Sequence, residues 1–239
     1  MEKRSLAPIL AVSGGAVVLV VALVIASLSG GGKSNPNTSN LNLGSISEML
    51  SGIPQQGVAL GDPKAKVTLV EFGDLQCTAC AFFSENALPS LILTYVRRNK
   101  LRIEFQGFAF LNKSPSGDSA RLVRMALAAG QQNKLWNFVE LVYANQGAEE
   151  SGYATDAYLK SVAAAAGVDV NKAFAIASQT SSFAGTIKAN GARFDALKFK
   201  GTPSFVLLRT GSKSPQKIST QNVPSYQDLA TRINALLKS

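Results

Sequence analysis

At 239 residues the chain has room for one domain with additions or for two small domains, and its 46% hydrophobic content is ordinary for a globular protein. The net charge of +9 comes from Lys and Arg scattered as singles and pairs with no run of five, which reads as a solvated basic surface and argues against a nucleic-acid partner. The lack of any His excludes a Ser-His-Asp triad, a Cys-His protease pair and a His-ligated metal, and two Cys cannot build a four-thiolate zinc site within one chain, so no metal and no cofactor is expected.

The first element is a basic flank, residues 1–5, containing Lys3 and Arg4. Behind it the 23 residues from Leu6 to Leu28 carry no charge, and at about 1.5 Å per residue they are long enough to cross a bilayer. Residues 6–28 are therefore predicted to form a transmembrane helix. The basic flank stays cytoplasmic and the rest of the chain lies outside, so membrane association runs through this helix. A cleaved signal peptide is the alternative, since Ala26-Ser27-Leu28-Ser29-Gly30 offers small residues near a possible cut; either way the domain is exported. Residues 29–60, rich in Gly, Ser, Asn and Pro, read as a flexible linker, with helical spacing between Ile46 and Ile53 that could dock weakly.

Residues 61–239 read as the folded part. After the turn signal Gly61-Asp62-Pro63, the run from Lys66 to Phe72 is a buried strand. A helix interrupted by Pro89 follows over Ala81 to Arg98, and Leu101 to Phe105 alternates as a second strand, giving a βαβ unit. An insertion over about 115–197 is helical, with segments Ala120–Ala129, Leu135–Ala144, Ala157–Ala166, Lys172–Ala177 and Phe183–Leu197. Strand character returns at Ser204 to Leu208 and again near Ile218, and Tyr226–Leu237 is an amphipathic closing helix. The fold class is thus α/β, a sheet with an embedded helical subdomain, preceded by one N-terminal transmembrane helix.

Cys77-Thr78-Ala79-Cys80 lies between the predicted strand and helix. The unpaired N–H groups and dipole of a helix start favour negative charge and lower a thiol pKa, and the thiolate is the attacking species in disulfide exchange. Residues three apart at a helix start are close enough to form a disulfide. Cys77 is expected to be exposed and nucleophilic, and Cys80 to be buried and resolving. The bland alternative, an inert staple, is a poor use of so short a loop. Glu71 interrupts an apolar strand. It is either a buried acid with a raised pKa that exchanges protons with Cys80, or a strand-edge carboxylate facing water. In Lys200-Gly201-Thr202-Pro203-Ser204-Phe205 a Pro opens a strand, with either a cis bond or an ordinary trans turn.

Together these residues resemble the DsbA family of thioredoxin-fold proteins, from about Gly61 to the C-terminus. The resemblance rests on Gly61-Asp62-Pro63-Lys64-Ala65, on Val67 to Phe72, on the Cys77–Cys80 motif, on Gln132-Asn133-Lys134-Leu135-Trp136, on Gly167-Val168-Asp169 and on Gly201-Thr202-Pro203. It implies a thioredoxin-like fold with an inserted helical subdomain and a redox-active Cys77–Cys80 disulfide. It also implies that Glu71 is the buried acid and Pro203 a cis-proline beside the disulfide. Thr202, Pro203, Thr78 and Ala79 would meet the substrate. The implied substrates are cysteine-containing exported proteins, and the implied redox partner is a quinone-linked membrane protein similar to DsbB or VKOR. Many strongly oxidising members carry Pro-His between the cysteines, where this chain has Thr78-Ala79, so a milder oxidant is implied and the direction of electron flow stays open. Net oxidation of exported cysteines is the leading expectation. Reduction or isomerisation at the same site, or a non-enzymatic binding module, are the alternatives.

Overall fold

The computed structural model describes residues 43–218 and 222–238. The predicted transmembrane span 6–28 and the first part of the predicted linker lie outside these residues. Among the described residues no helix is long and apolar enough to cross a membrane.

Strand β3 (Val67–Gly73) is the middle of the architecture, and all seven of its residues are buried. It pairs in parallel with β4 (Leu101–Gly107) and antiparallel with β5 (Ser204–Arg209). Two short strands, β1 (Gln55–Gln56) and β2 (Ala59–Leu60), extend the sheet beyond β4, and β6 (Gln216–Ile218) extends it beyond β5, giving the order β1-β2-β4-β3-β5-β6. A strand buried on both faces reads as a continuous apolar run rather than an alternation, which is why β3 is so apolar. Its alternate residues still part company: Val67 and Leu69 enter the larger core, whereas Val70 and Phe72 enter a smaller cluster with Phe108, Phe194, Phe199 and Val206. Glu71 therefore shares the larger-core face with Leu69.

Helix α2 (Thr78–Asn86) leaves the cysteine loop and stops before Pro89, which sits in the first turn of α3 (Leu88–Leu91). Proline lacks an N–H and is tolerated there, so the predicted interruption falls at Ala87. A π-helical stretch, Ile92–Val96, then widens the last turn and delivers the chain to β4. The insertion between β4 and β5 holds α4 (Asp118–Gly130), α5 (Leu135–Tyr143), α6 (Asp156–Ala165), α7 (Val170–Ala177) and α8 (Ala184–Ala196), and α9 (Tyr226–Lys238) closes the fold.

The predicted linker requires correction from residue 43 onward. Helix α1 (Leu43–Leu50) buries Ile46 and Leu50, and the Arg97 guanidinium donates to the carbonyls of Glu48 and Met49 at its C-terminal end, at 2.9 and 3.0 Å. The β1–β2 hairpin is fixed by the insertion: Trp136 Nε1 donates to Val58 O (3.1 Å), and the Gln55 side chain bonds both Trp136 N and Asn137. Polar composition misleads here because a few apolar side chains, together with carbonyls capped by a partner helix, suffice to order the segment. Leu50 is only 3% exposed, so Leu50→Ala should lower the free energy of unfolding by about 2–4 kcal/mol. A urea midpoint unchanged from the parent chain would restore the linker reading.

Candidate active site

The loop that carries the cysteines is fixed before the cysteines themselves begin. Asp74, fully buried, accepts at Oδ1 from Gln76 N (2.9 Å). At Oδ2 it accepts from Phe110 N, Leu111 N and Ser119 Oγ at 2.8, 2.9 and 2.8 Å. Burial pushes its pKa up, and these hydrogen bonds pull it back. Gln76 donates to Ser119 Oγ (2.6 Å) and accepts from Glu150 N (2.8 Å). The Gln146 amide donates to Leu75 O and Cys77 O, and Tyr153 OH donates to Leu75 O. The helical insertion thus ties down every residue from Asp74 to Cys77.

Cys77 occupies the N-cap position of α2 with extended backbone and no oxygen side chain to cap the helix. The Cys77 carbonyl accepts from Cys80 N and Ala81 N, both at 3.1 Å, and the backbone N–H groups of Ala79 and Cys80 at this helix start favour negative charge on the sulfur. The Cys77 pKa is lowered to about 6, first by the hydrogen bond from the Cys80 thiol and then, against the cost of burial, by Thr202 and the two backbone N–H groups. Cys77 Sγ lies 3.3 Å from Thr202 O. The Thr202–Pro203 peptide bond is cis, Pro203 is buried, and Thr202 Oγ1 is buried without a hydrogen-bond partner. Cys80 is fully buried, and burial followed by its hydrogen bond to Cys77 raises its pKa well above that of a free thiol. Both thiols are free in this structure.

The expected exposure of Cys77 is corrected: only 7% of it is accessible, because the Thr202 turn and the loop after α5 close over it. Thr78 is exposed and Ala79 half-buried. The Glu149 carboxylate accepts from both Thr78 N (3.0 Å) and Thr78 Oγ1 (3.2 Å), so an acid from the insertion caps the first turn of the cysteine helix. The reading of Glu71 as a strand-edge residue facing water is overturned. Glu71 is 2% exposed, stands opposite Phe105 on β4 and Phe205 on β5, and has a pKa raised first by burial, then by Glu140 and Cys77.

Sequence reasoning passed over Asp74, Glu140, Tyr143, Gln146 and Glu149. Glu140 carried a signal, since α5 is apolar on almost every side and a carboxylate inside such a helix must be buried. Asp74 carried a similar one as the acid between a buried strand and the cysteines. Gln146 and Glu149 lie in a polar loop and had no local signal.

Comparison with known proteins follows the same lines. A family model described as thioredoxin matches residues 54–220. The "Probable disulfide bond formation protein D" of Bacillus anthracis is 27% identical over 147 residues, a match covering 62% of this chain and 61% of that protein. Among solved structures, BdbD from Bacillus subtilis in its oxidised form superposes with a TM-score of 0.65 at 21% identity, covering 80% of this chain and 98% of that one. Wolbachia pipientis alpha-DsbA1 superposes with a TM-score of 0.64 at 17% identity, covering 79% and 92%. These likenesses extend to the sheet and to its helical insertion, and the chain belongs to the thioredoxin family, with a DsbA-like fold.

Proposed function

We propose that the protein is a thiol:disulfide oxidoreductase that oxidises cysteines of exported proteins through a Cys77–Cys80 disulfide. The observation that carries this reading is the opposed environment of the two sulfurs. Cys77, at a helix start and beside Thr202, is stabilised as a thiolate at about 6, whereas Cys80, fully buried, is held as a thiol. Such a pair leaves Cys77 as the better leaving group and nucleophile and Cys80 as the resolving thiol. Glu71, buried and acidic beside them, is the group that exchanges a proton with Cys80. The Thr202 backbone, with Pro203, Thr78 and Ala79 around the sulfur, is what a client strand would meet. The naming of the Bacillus anthracis relative as a disulfide bond formation protein supports the same chemistry.

The apolar span of residues 6–28 serves in this reading as an anchor holding the domain outside the membrane, with reoxidation by a quinone-linked membrane partner of the DsbB or VKOR kind. Protease added to intact cells stripped of their outer layers would then digest the domain. A soluble mature chain starting near Ser29 would show a cleaved signal instead.

Direction of flow is set by the reduction potential, because stabilising the Cys77 thiolate favours the reduced form. A Cys77 value of about 6 lies between the about 7 of thioredoxin and the about 3.5 of DsbA. The potential should accordingly fall between about −270 and about −120 mV; a value at or below the lower bound would make the protein a reductase. Alkylation of the reduced protein by iodoacetamide should rise with pH around a midpoint near 6. The sign for stability follows from a lowered pKa. Cys77 stabilises the reduced fold fully above the unfolded thiol's about 8.5, and that contribution is lost as pH falls through its folded value. Glu149→Gln removes a negative charge from the first turn of α2 and should raise the potential by on the order of 10 mV, little because the site is exposed and screened. Cys80→Ala should accumulate mixed disulfides between Cys77 and client proteins on non-reducing gels, and Cys77→Ala should accumulate few; the reverse pattern would exchange the two roles.

A further inference from the structure

Behind Cys80 the structure buries more acid than one proton exchange requires. Glu140 on α5 is 3% exposed. Its Oε2 accepts from Ser84 Oγ at 2.6 Å, and its Oε1 has no hydrogen-bond partner. Glu71 Oε1 and Tyr143 OH are likewise buried and unpartnered. A buried polar atom without a partner costs free energy and calls for an explanation such as a chemical role.

Two of these orphaned atoms, Tyr143 OH and Glu71 Oε1, flank one point, and the third lies on the same helix as Tyr143. Tyr143 follows Glu140 by nearly one turn of α5, on the same side of the helix. Gly73, at the end of β3, leaves a space that a Cβ would fill, and that point is 3.1 Å from Tyr143 OH and 3.3 Å from Glu71 Oε1. Ser84 and Glu140 line a cleft of about 400 Å³ with Ser45, Ile46 and Met49 of α1. Buried titratable oxygens thus lie at the end of β3, next to the cysteines, and on α5 at a cleft that α1 also lines. The other ionisable groups acting on them are Cys77, Cys80 and Glu85 from α2 and Asp74 from the cysteine loop. All are acids or thiols, so each favours the protonated state of its neighbours. Burial, and after it Glu85, pushes Glu140 up to about 8, where it can both take and give a proton near neutral pH.

We propose that Glu140 is a second proton-holding residue for the disulfide exchange, passing protons between Glu71 and the cleft at α1, with Ser84 as its hydrogen-bond donor and Tyr143 one turn away on the same helix. The inference rests on the exchange chemistry proposed above. When a client thiolate attacks Cys77 Sγ, a client–Cys77 disulfide forms and the Cys77–Cys80 bond breaks, leaving the electron pair on Cys80 Sγ. The Glu71 carboxyl gives its proton to that sulfur, the Glu140 carboxyl reprotonates Glu71, and water in the cleft reprotonates Glu140. Attack by a second client thiolate on the client sulfur then releases oxidised client and the Cys77 thiolate. Glu140 touches neither client nor sulfur in this scheme and acts through Glu71 as a positioning residue.

The test is single-turnover oxidation of a dithiol peptide by the oxidised full-length protein, acid-quenched, from about pH 5 to about pH 9. The parent chain and Glu140→Gln are compared, with Glu71→Gln as reference. Glu140→Gln should slow the reaction about tenfold near neutral pH and erase the inflection near 8. Superimposable profiles would overturn the role of Glu140, as would a uniform slowing that keeps the inflection, since that is the mark of a structural effect. A parent chain unable to oxidise the peptide at any pH would overturn the exchange reading itself, so the two failures are distinguishable. Should Glu140→Gln fold poorly, infrared titration of a chain that keeps Glu140 decides the matter. With Glu71→Gln in place to remove the other buried acid's band, a protonated-carboxyl band must persist at pH 7 and disappear around 8; its absence at pH 7 would refute the proposal.

Discussion

The constraint on which the rest of the site depends is the burial of β3 on both faces. A strand that is central in the sheet and covered by helices on each side has no position where a carboxylate can reach water. Glu71 must therefore stay out of solvent wherever its side chain points, and its position on the larger-core face directs it toward α2 and α5. Its pKa rises because of the topology of the sheet before any neighbour is considered, and the neighbouring acids add to the same effect. The strand also ends directly at the cysteine loop, so the buried acid and the buried thiol come from one continuous piece of chain only nine residues apart.

The helical insertion is what converts that piece of chain into a site. The α/β sheet supplies a helix start, but a helix start alone does not hold a loop in one conformation. Ser119, Gln146, Glu150 and Tyr153 take up the side chains and carbonyls of Leu75, Gln76 and Cys77, and Asp74 bonds the backbone after β4. The Gln76–Ser119 and Tyr153–Leu75 bonds are buried and the others partly so, and leaving a buried partner unsatisfied costs about 1–3 kcal/mol, which favours one loop geometry. The same insertion supplies Glu140, Tyr143 and Glu149, so it both shapes the cysteine loop and sets its electrostatics.

Elements with a strong periodic signal were legible in the sequence. The strands β3, β4 and β5, the helices α4 to α9 and the place of the cysteines between strand and helix all followed from apolar spacing and turn residues. The hairpin β1–β2 was not legible, because two-residue strands have no period to detect and their order comes from Trp136 and Gln55 across more than seventy residues of chain. The burial of Cys77 was hidden for the same reason, since the groups that cover it belong to the Thr202 turn and the loop after α5. Glu71 left two readings open because one strand cannot show which of its faces is covered. What stayed hidden is, in each case, a contact between segments distant in sequence.

The cap of α2 shows how these distant contacts shape the chemistry. A helix N-terminus offers several unpaired N–H groups, and any anion near them is stabilised. Here two different anions share that end of the helix. The Glu149 carboxylate takes the Thr78 N–H, and the Cys77 sulfur stands near those of Ala79 and Cys80, which favour its negative charge. The thiolate is therefore stabilised by fewer donors than the helix provides, with a carboxylate close by that opposes its charge. No side chain between the cysteines offsets this, since Thr78 is committed to Glu149 and Ala79 has no polar group. What then lowers the Cys77 pKa most is the Cys80 thiol itself, with Thr202 and the remaining N–H groups behind it. Because the Cys80 proton can be shared with Cys77 only while Cys80 stays a thiol, the buried acids that keep Cys80 protonated also support the Cys77 thiolate. Poise at the outer sulfur and burial of acid behind the inner one are thus two aspects of the same arrangement.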